Sequence, residues 1–180
     1  VIALALRARR QDALAGQDVR TVLTPPVPAD ISTTYFLRLT LKRGPFTVSR
    51  NVYWLSTKPD RVDWAHTIDE GDGAAFEPGG YADLTGLRTL GAASVRVRAT
   101  TLRLGADDVT RVTMTNTSDR PTPAFLTRAD VRRDTTTGGD NQVLPILWSD
   151  NDITLWPGET QTIVATYRHA DLKGARPVVT

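Results

Sequence analysis

The chain contains no cysteine, which excludes disulfides, thiolate metal sites and cysteine nucleophiles together. Its two histidines, His66 and His169, leave little material for a histidine metal site or a Ser-His-Asp relay. Neither a metal nor a cofactor is expected. Glutamate is scarce too, confined to Glu70, Glu77 and Glu159. No apolar run reaches the ~18 residues that a membrane-spanning helix requires. The opening "VIALAL" is short for a secretory core and is followed by arginines rather than a small-residue cleavage site. Any export signal is therefore expected outside these residues. Val1 is not methionine, so the chain is expected to be a piece of something longer or processed. The formal charge of +2 is nearly balanced, and no basic block of the nucleic-acid-binding kind occurs. In "VRVRATTLRL" the arginines alternate with apolar residues, as on the solvent face of a strand.

What the chain has is period-two alternation. In "TYFLRLTL", Tyr35, Leu37, Leu39 and Leu41 point one way, with Arg38 and Thr40 opposite. "VSRNVYWLS" is a second β-rich run, and the Gly-Pro of "KRGPF" between them predicts a hairpin over 34–56. The alternation then stops. Residues 57–80 hold Pro59, Pro78, several glycines and the acidic clump "DEGDG", the composition of a linker or long loop. Strands resume with Val95 and Val97, then Val112 and Met114. Phe125, Ala129 and Val131 share one face of the next pattern, and Ile163, Ala165 and Tyr167 share one face of the last long one. Pro145 inside "QVLPILW" places that strand at an edge or a bulge. Residues 3–15 have helix propensity but a poor apolar stripe.

Short strands joined by "LGADD", "NTSDRPTP", "TTTGGDN", "WPGE" and "LKGARP" favour an all-β fold of tandem immunoglobulin-like antiparallel β-sandwiches. The predicted organisation is an incomplete first sandwich over 1–60, a linker over 61–80 and a second sandwich over 81–180. The first region offers about four strands where such a sandwich has about seven.

Four features could carry chemistry, and each has a structural counterpart. Asp69, Glu70 and Asp72 bring together the oxygens that a calcium ion wants, but they match no EF-hand spacing and fit a solvated linker better. Glycoside hydrolysis needs two carboxyl groups roughly 5–10 Å apart across a sugar site. Two of the three glutamates lie in the linker and the third follows a Pro-Gly turn, so autonomous hydrolysis is not expected. Asn116-Thr117-Ser118 fits the glycosylation sequon, although Asn116 and Asp119 also suit turn positions. The tryptophans Trp54, Trp64, Trp148 and Trp156 could stack on sugar rings, or could pack in cores. Trp148 and Trp156 bracket Asp150, Asn151 and Asp152 in "WSDNDITLWPGET". Those five residues are the candidate functional loop.

"TTYFLRLTLKRG" followed by "VSRNVYWLSTKPDRVDW" resembles the sandwich after the catalytic barrel of exo-β-D-glucosaminidases of glycoside hydrolase family 2. "YADLTGLRTL", "VTMTNTSDRPTPAF" and "LPILWSDNDITLWPGETQTIVATY" resemble the next sandwich of those enzymes and of the related β-mannosidases. The resemblance runs in order from about residue 30 to residue 180. It implies a modular, secreted bacterial enzyme that removes glucosamine units from chitosan with retention, using two glutamates of a TIM barrel. Neither glutamate motif occurs here, and no position inherits those roles. The partners implied are the barrel and the other domains of the parent enzyme. Members of the family usually have an aromatic residue after "SDN", where this chain has Asp152. They also carry several aromatics before "YADL", where this chain has Phe76 alone. Three functions compete: a non-catalytic sandwich region supporting the barrel, an independent carbohydrate-binding module with a polysaccharide contact at 148–156, and a general adhesion domain. The resemblance favours the first, with the sandwich region of a β-mannosidase-type enzyme as an alternative parent and the motifs of the first sandwich leaning towards glucosamine.

Overall fold

A computed structural model describes residues 21, 23–65, 68–69, 74–75, 78–135 and 141–180. The helix-capable stretch 3–15 lies outside these residues, as do His66, Glu70, Asp72, Phe76 and Glu77. The chain divides into two compact units, Val1–Thr89 and Leu90–Thr180. Among the described residues, no helix is long and apolar enough to cross a membrane.

In the first unit, β1 (Thr34–Arg43) and β2 (Phe46–Ser56) form the predicted antiparallel hairpin. Gly44 takes the left-handed conformation (φ +57°) that the tight connection demands. The register puts Leu37 opposite Tyr53 and Tyr35 opposite Leu55, so one face is apolar along most of its length. Short ladders follow, β3 (Arg61–Val62) with β6 (Pro78–Gly80), and β4 (Ile68–Asp69) with β5 (Ala74–Ala75). A 3₁₀ turn, Thr85–Thr89, closes the unit. Thr34 Oγ1 donates to the Asp83 carbonyl at 2.9 Å and accepts from the Gly86 N–H at 3.3 Å. A Cβ on Gly86 would stand 2.8 Å from the Thr34 Cβ, so glycine is required there. Asp83 caps the turn through the Thr85 hydroxyl and N–H, and these bonds hold its carboxyl below the ordinary carboxylate value. Residues 81–89, expected at the start of the second sandwich, thus include Asp83 and Gly86 bonded to Thr34 of the hairpin, and they fall in the first unit. Among the described residues of the first unit none is fully buried.

The second unit is a sandwich. Its larger sheet has four antiparallel strands in the order β11-β13-β8-β7, made of β7 (Val95–Leu104), β8 (Asp107–Asn116), β11 (Ile146–Trp148) and β13 (Thr160–Arg168). The opposite layer contains β9 (Ala124–Thr127) with β12 (Ile153–Leu155), and β10 (Val131–Arg133) with β14 (Pro177–Val179). A second 3₁₀ turn, His169–Leu172, follows β13. Alternate residues of β8 from Asp108 to Asn116 are buried, and so are Ile163, Ala165 and Tyr167, as the alternation predicts. Val112, Met114 and Ile163 pack on Ala124, Ile153 and Leu155, while Ala165 and Tyr167 pack on Val131, Val143 and Leu172. β11 is an edge strand, where the missing N–H of Pro145 costs no ladder bond. The pattern over 125–132 does not form one strand. Leu126 takes a left-handed conformation (φ +48°) within β9, the strand ends at Thr127, and pairing resumes as β10.

Two buried polar clusters join the layers and strands. Asn116, fully buried, donates from its side-chain nitrogen to the carbonyls of Leu155 (2.8 Å) and Thr122 (3.0 Å). Its Oδ1 accepts from the Ser118 N–H at 3.0 Å. Its backbone N–H donates to Glu159 O at 3.0 Å, and its carbonyl accepts from Gly158 N–H at 2.9 Å. The sequon asparagine is therefore spent inside the fold, and both amide hydrogens are engaged. At the other end of β8, the hydroxyls of Thr101, Thr110 and Tyr167 form a chain with spacings of 2.8 Å. Burial raises the Tyr167 pKa above its ordinary value, outweighing the hydrogen bonds from Thr110 and Thr101 that lower it.

Asn116→Ala would leave two carbonyls and one N–H without their partner in a buried site. A loss on the order of 2–4 kcal/mol is expected, read as a lower urea midpoint with unchanged m-value. For Tyr167 the sign is alkaline. Its contribution is intact below pH about 10, where the tyrosine of folded and unfolded chains alike is neutral. Above that pH the unfolded chain ionises first, so stability falls as pH rises through the elevated folded value. Urea midpoints measured from pH 8 to pH 11 should decline more steeply in the wild type than in Tyr167→Phe.

Candidate functional site

The candidate loop leaves β11 at Trp148 and enters β12 at Ile153. Trp148 sits opposite Ala165 on the inner face of the sheet and packs against both core clusters. It therefore bridges the two halves of the core. Ser149 continues the pairing beyond β11: its N–H donates to Val164 O at 2.8 Å, and its Oγ accepts from Val164 N–H at 2.9 Å.

Asp150 is exposed, yet both carboxylate oxygens are engaged. Oδ1 accepts from the Asn151 N–H at 2.9 Å and Oδ2 from Gln161 Nε2 at 2.9 Å. Asn151 imitates a strand. Its Oδ1 accepts from the Ala129 N–H and its Nδ2 donates to the Ala129 carbonyl, both at 2.9 Å. The chain at Ala129 lies between β9 and β10, where no backbone ladder serves it. A planar amide presents one donor and one acceptor side by side, as a neighbouring peptide would. Asn151 Oδ1 also accepts from the Asp152 N–H at 3.1 Å. Asp152 is exposed and left-handed (φ +51°), a conformation that aspartate tolerates better than most residues.

Trp156 is half-buried just past β12, and its N–H donates to Glu159 Oε2 at 3.0 Å. The Glu159 N–H returns to Trp156 O at 2.9 Å, with Gly158 at φ +79° in the third position of the turn. Glu159 thus serves the Pro-Gly bend. The five candidate residues do form one contiguous loop, and Asn151 and Asp150 are oriented by Ala129 and Gln161, partners that no local motif announces. His169 Nδ1 lies 2.8 Å from Oδ2 of the buried Asp108, tying the end of β13 to the start of β8. Among the described residues, no group of three or more His, Asp or Glu side chains is placed to hold a metal ion.

Residues 76–180 match the model of the exo-β-D-glucosaminidase Ig-fold domain. The chain belongs to that family. It is 45% identical over 163 residues to the exo-β-D-glucosaminidase of Streptomyces avermitilis, covering 88% of this chain and 17% of the relative. It is 43% identical over 164 residues to the enzyme of Amycolatopsis orientalis, covering 88% of this chain and 15% of the relative. A fungal exo-β-D-glucosaminidase from Arthroderma benhamiae is 38% identical over 133 residues. Among solved structures, the exo-chitosanase CsxA of Amycolatopsis orientalis superposes with a TM-score of 0.78 at 39% identity, over 88% of this chain and 18% of that one. The chain therefore spans less than a fifth of the length of each of these bacterial relatives. The family match includes the whole candidate loop, whose bonds are those of an Ig-fold domain holding its own strands together.

Asn151→Ala should cost about 2–3 kcal/mol, because Ala129 is buried and would lose a partner for both its N–H and its carbonyl. Asp150→Ala, at an exposed site, should cost less than about 1 kcal/mol. Chemical denaturation of the three proteins side by side would show whether that ranking holds.

Proposed function

We propose that these residues form a non-catalytic sandwich region of an exo-β-D-glucosaminidase. The parent is a retaining enzyme of glycoside hydrolase family 2 that acts on chitosan outside the cell. Its barrel carries the two glutamates, and the sandwich supports the barrel. The observation that carries this reading is the family match over 76–180, joined to 45% identity with an exo-β-D-glucosaminidase of far greater length. A related structure from Amycolatopsis orientalis is described as a complex with PNP-β-D-glucosamine, which fits a glucosamine-directed parent.

Within this reading the loop 148–156 borders the substrate cleft. Asp152 is its best candidate for a sugar contact, since it is exposed while Asp150 and Asn151 are engaged within the sandwich. A carboxylate suits the ammonium group of a glucosamine unit. The alternative, an independent carbohydrate-binding module, draws on the same loop. It is disfavoured because Trp148 is committed to the core and cannot offer a free stacking face.

The isolated chain should neither cleave a chromogenic β-D-glucosaminide nor bind glucosamine oligomers saturably at millimolar concentration. Hydrolysis by the purified chain would overturn the proposal, and tight oligomer binding would favour the module. In the full-length gene product, Asp152→Asn should raise KM for glucosamine oligomers several-fold with kcat nearly unchanged. An unchanged KM would remove Asp152 from the cleft.

A further inference from the structure

The outer face of the four-stranded sheet has an unusual composition for a solvent face. The ladders align Leu102, Val109, Thr166 and Leu147 in one row across β7, β8, β13 and β11. At ~4.8 Å between strands, the row is about 14 Å wide. Leu102 is 69% exposed and Leu147 is 75% exposed, and Leu104, next on the same face of β7, is 63% exposed. Val164 lies one row away on the same face and is half-buried. Exposed apolar area grouped in this way marks interaction sites, where single exposed leucines would not.

The charged groups around this row are mostly positive. Arg96, Arg98, Arg111 and Arg168 project from the same face, with Asp107 as the acid among the paired positions. Asp107 lies 3.8 Å from the Arg168 guanidinium. The threonines are matched with one another, Thr113 with Thr162 and Thr115 with Thr160, each at 2.9 Å. The surface is thus a largely apolar strip, interrupted by Thr166 and flanked by arginines, with two threonine pairs bonded laterally beside it. Arginine and apolar residues are what protein interfaces concentrate, whereas lysine and acids are depleted there.

We infer that this sheet face docks on an acidic, apolar-centred protein surface contributed by another part of the same polypeptide. The inference rests on the reading that the chain is one region of a longer enzyme. Three observations select this occupant. The net positive charge requires an acidic counterpart. The same charge opposes a symmetric dimer through this face, because the arginines would meet their own copies, and it repels a cationic glucosamine polymer. The relatives are more than five times longer than the matched segment, so a tethered partner would face the sheet at high effective concentration.

Hydroxyl-radical footprinting of the full-length gene product against the 180-residue chain tests this. Leu102, Leu104 and Leu147 should be labelled about fivefold less in the full-length protein, as expected for side chains dried at an interface core. Arg98→Glu with Arg111→Glu should restore their labelling there while leaving the urea midpoint of the 180-residue chain unchanged, which separates docking from folding. If the three leucines label equally in both proteins while Val97, on the opposite face of β7, becomes protected, the inference fails and the support reading stands. If no residue of the second unit changes its labelling, both fail.

Discussion

The second unit depends on one buried amide. Apolar burial drives two layers of strands together, but it has no direction and would tolerate a slide of one layer over the other. Asn116 removes that freedom. It stands at the end of β8 in the large sheet and donates to Leu155 at the end of β12 in the opposite layer, 39 residues on. It also holds Thr122, Ser118 and both sides of the Pro157-Gly158 bend. A buried amide with unmet partners costs more than its bonds contribute. The layers are therefore confined to the arrangement in which all of these bonds form at once.

The candidate loop is a second use of the same device. Asn151 serves the Ala129 peptide where the strand between β9 and β10 is interrupted, and Trp148 fills the space between the two core clusters. Between them they turn an irregular connection into part of the sandwich. The whole loop lies within the match to the exo-β-D-glucosaminidase Ig-fold family, over residues 76–180. The polar run that invites a catalytic interpretation is then explained by hydrogen-bond accounting, and of its two exposed carboxylates Asp150 is engaged while Asp152 is not.

The two faces of the large sheet answer different demands. Inward, alternate positions of β8 and β13 are buried among aliphatic side chains, relieved at one end by the Thr101-Thr110-Tyr167 hydroxyl chain. Outward, these strands present arginines and paired threonines, and the flanking β7 and β11 add Leu102, Leu104 and Leu147. A strand exposes every second residue whatever its partner, so one alternation encodes the core and the outer surface together.

Much of the architecture is legible along the chain. The alternation of Ile163, Ala165 and Tyr167, the hairpin over 34–56 and the edge position signalled by Pro145 all follow from backbone geometry, which acts over two residues and leaves a local trace. Asn116 leaves no such trace. Locally it is a turn residue in a sequon, and its partners at Leu155 and Glu159 lie some 40 positions away. The same holds for Asn151 with Ala129, for Asp150 with Gln161, and for the end of β9 at Thr127. The sequence by itself determined which residues would face inward and where the chain would bend, because those choices depend on side-chain period and turn chemistry. Only the tertiary structure decided which polar groups are consumed in holding the layers together and which remain free, because hydrogen bonds across the sandwich depend on where distant segments meet.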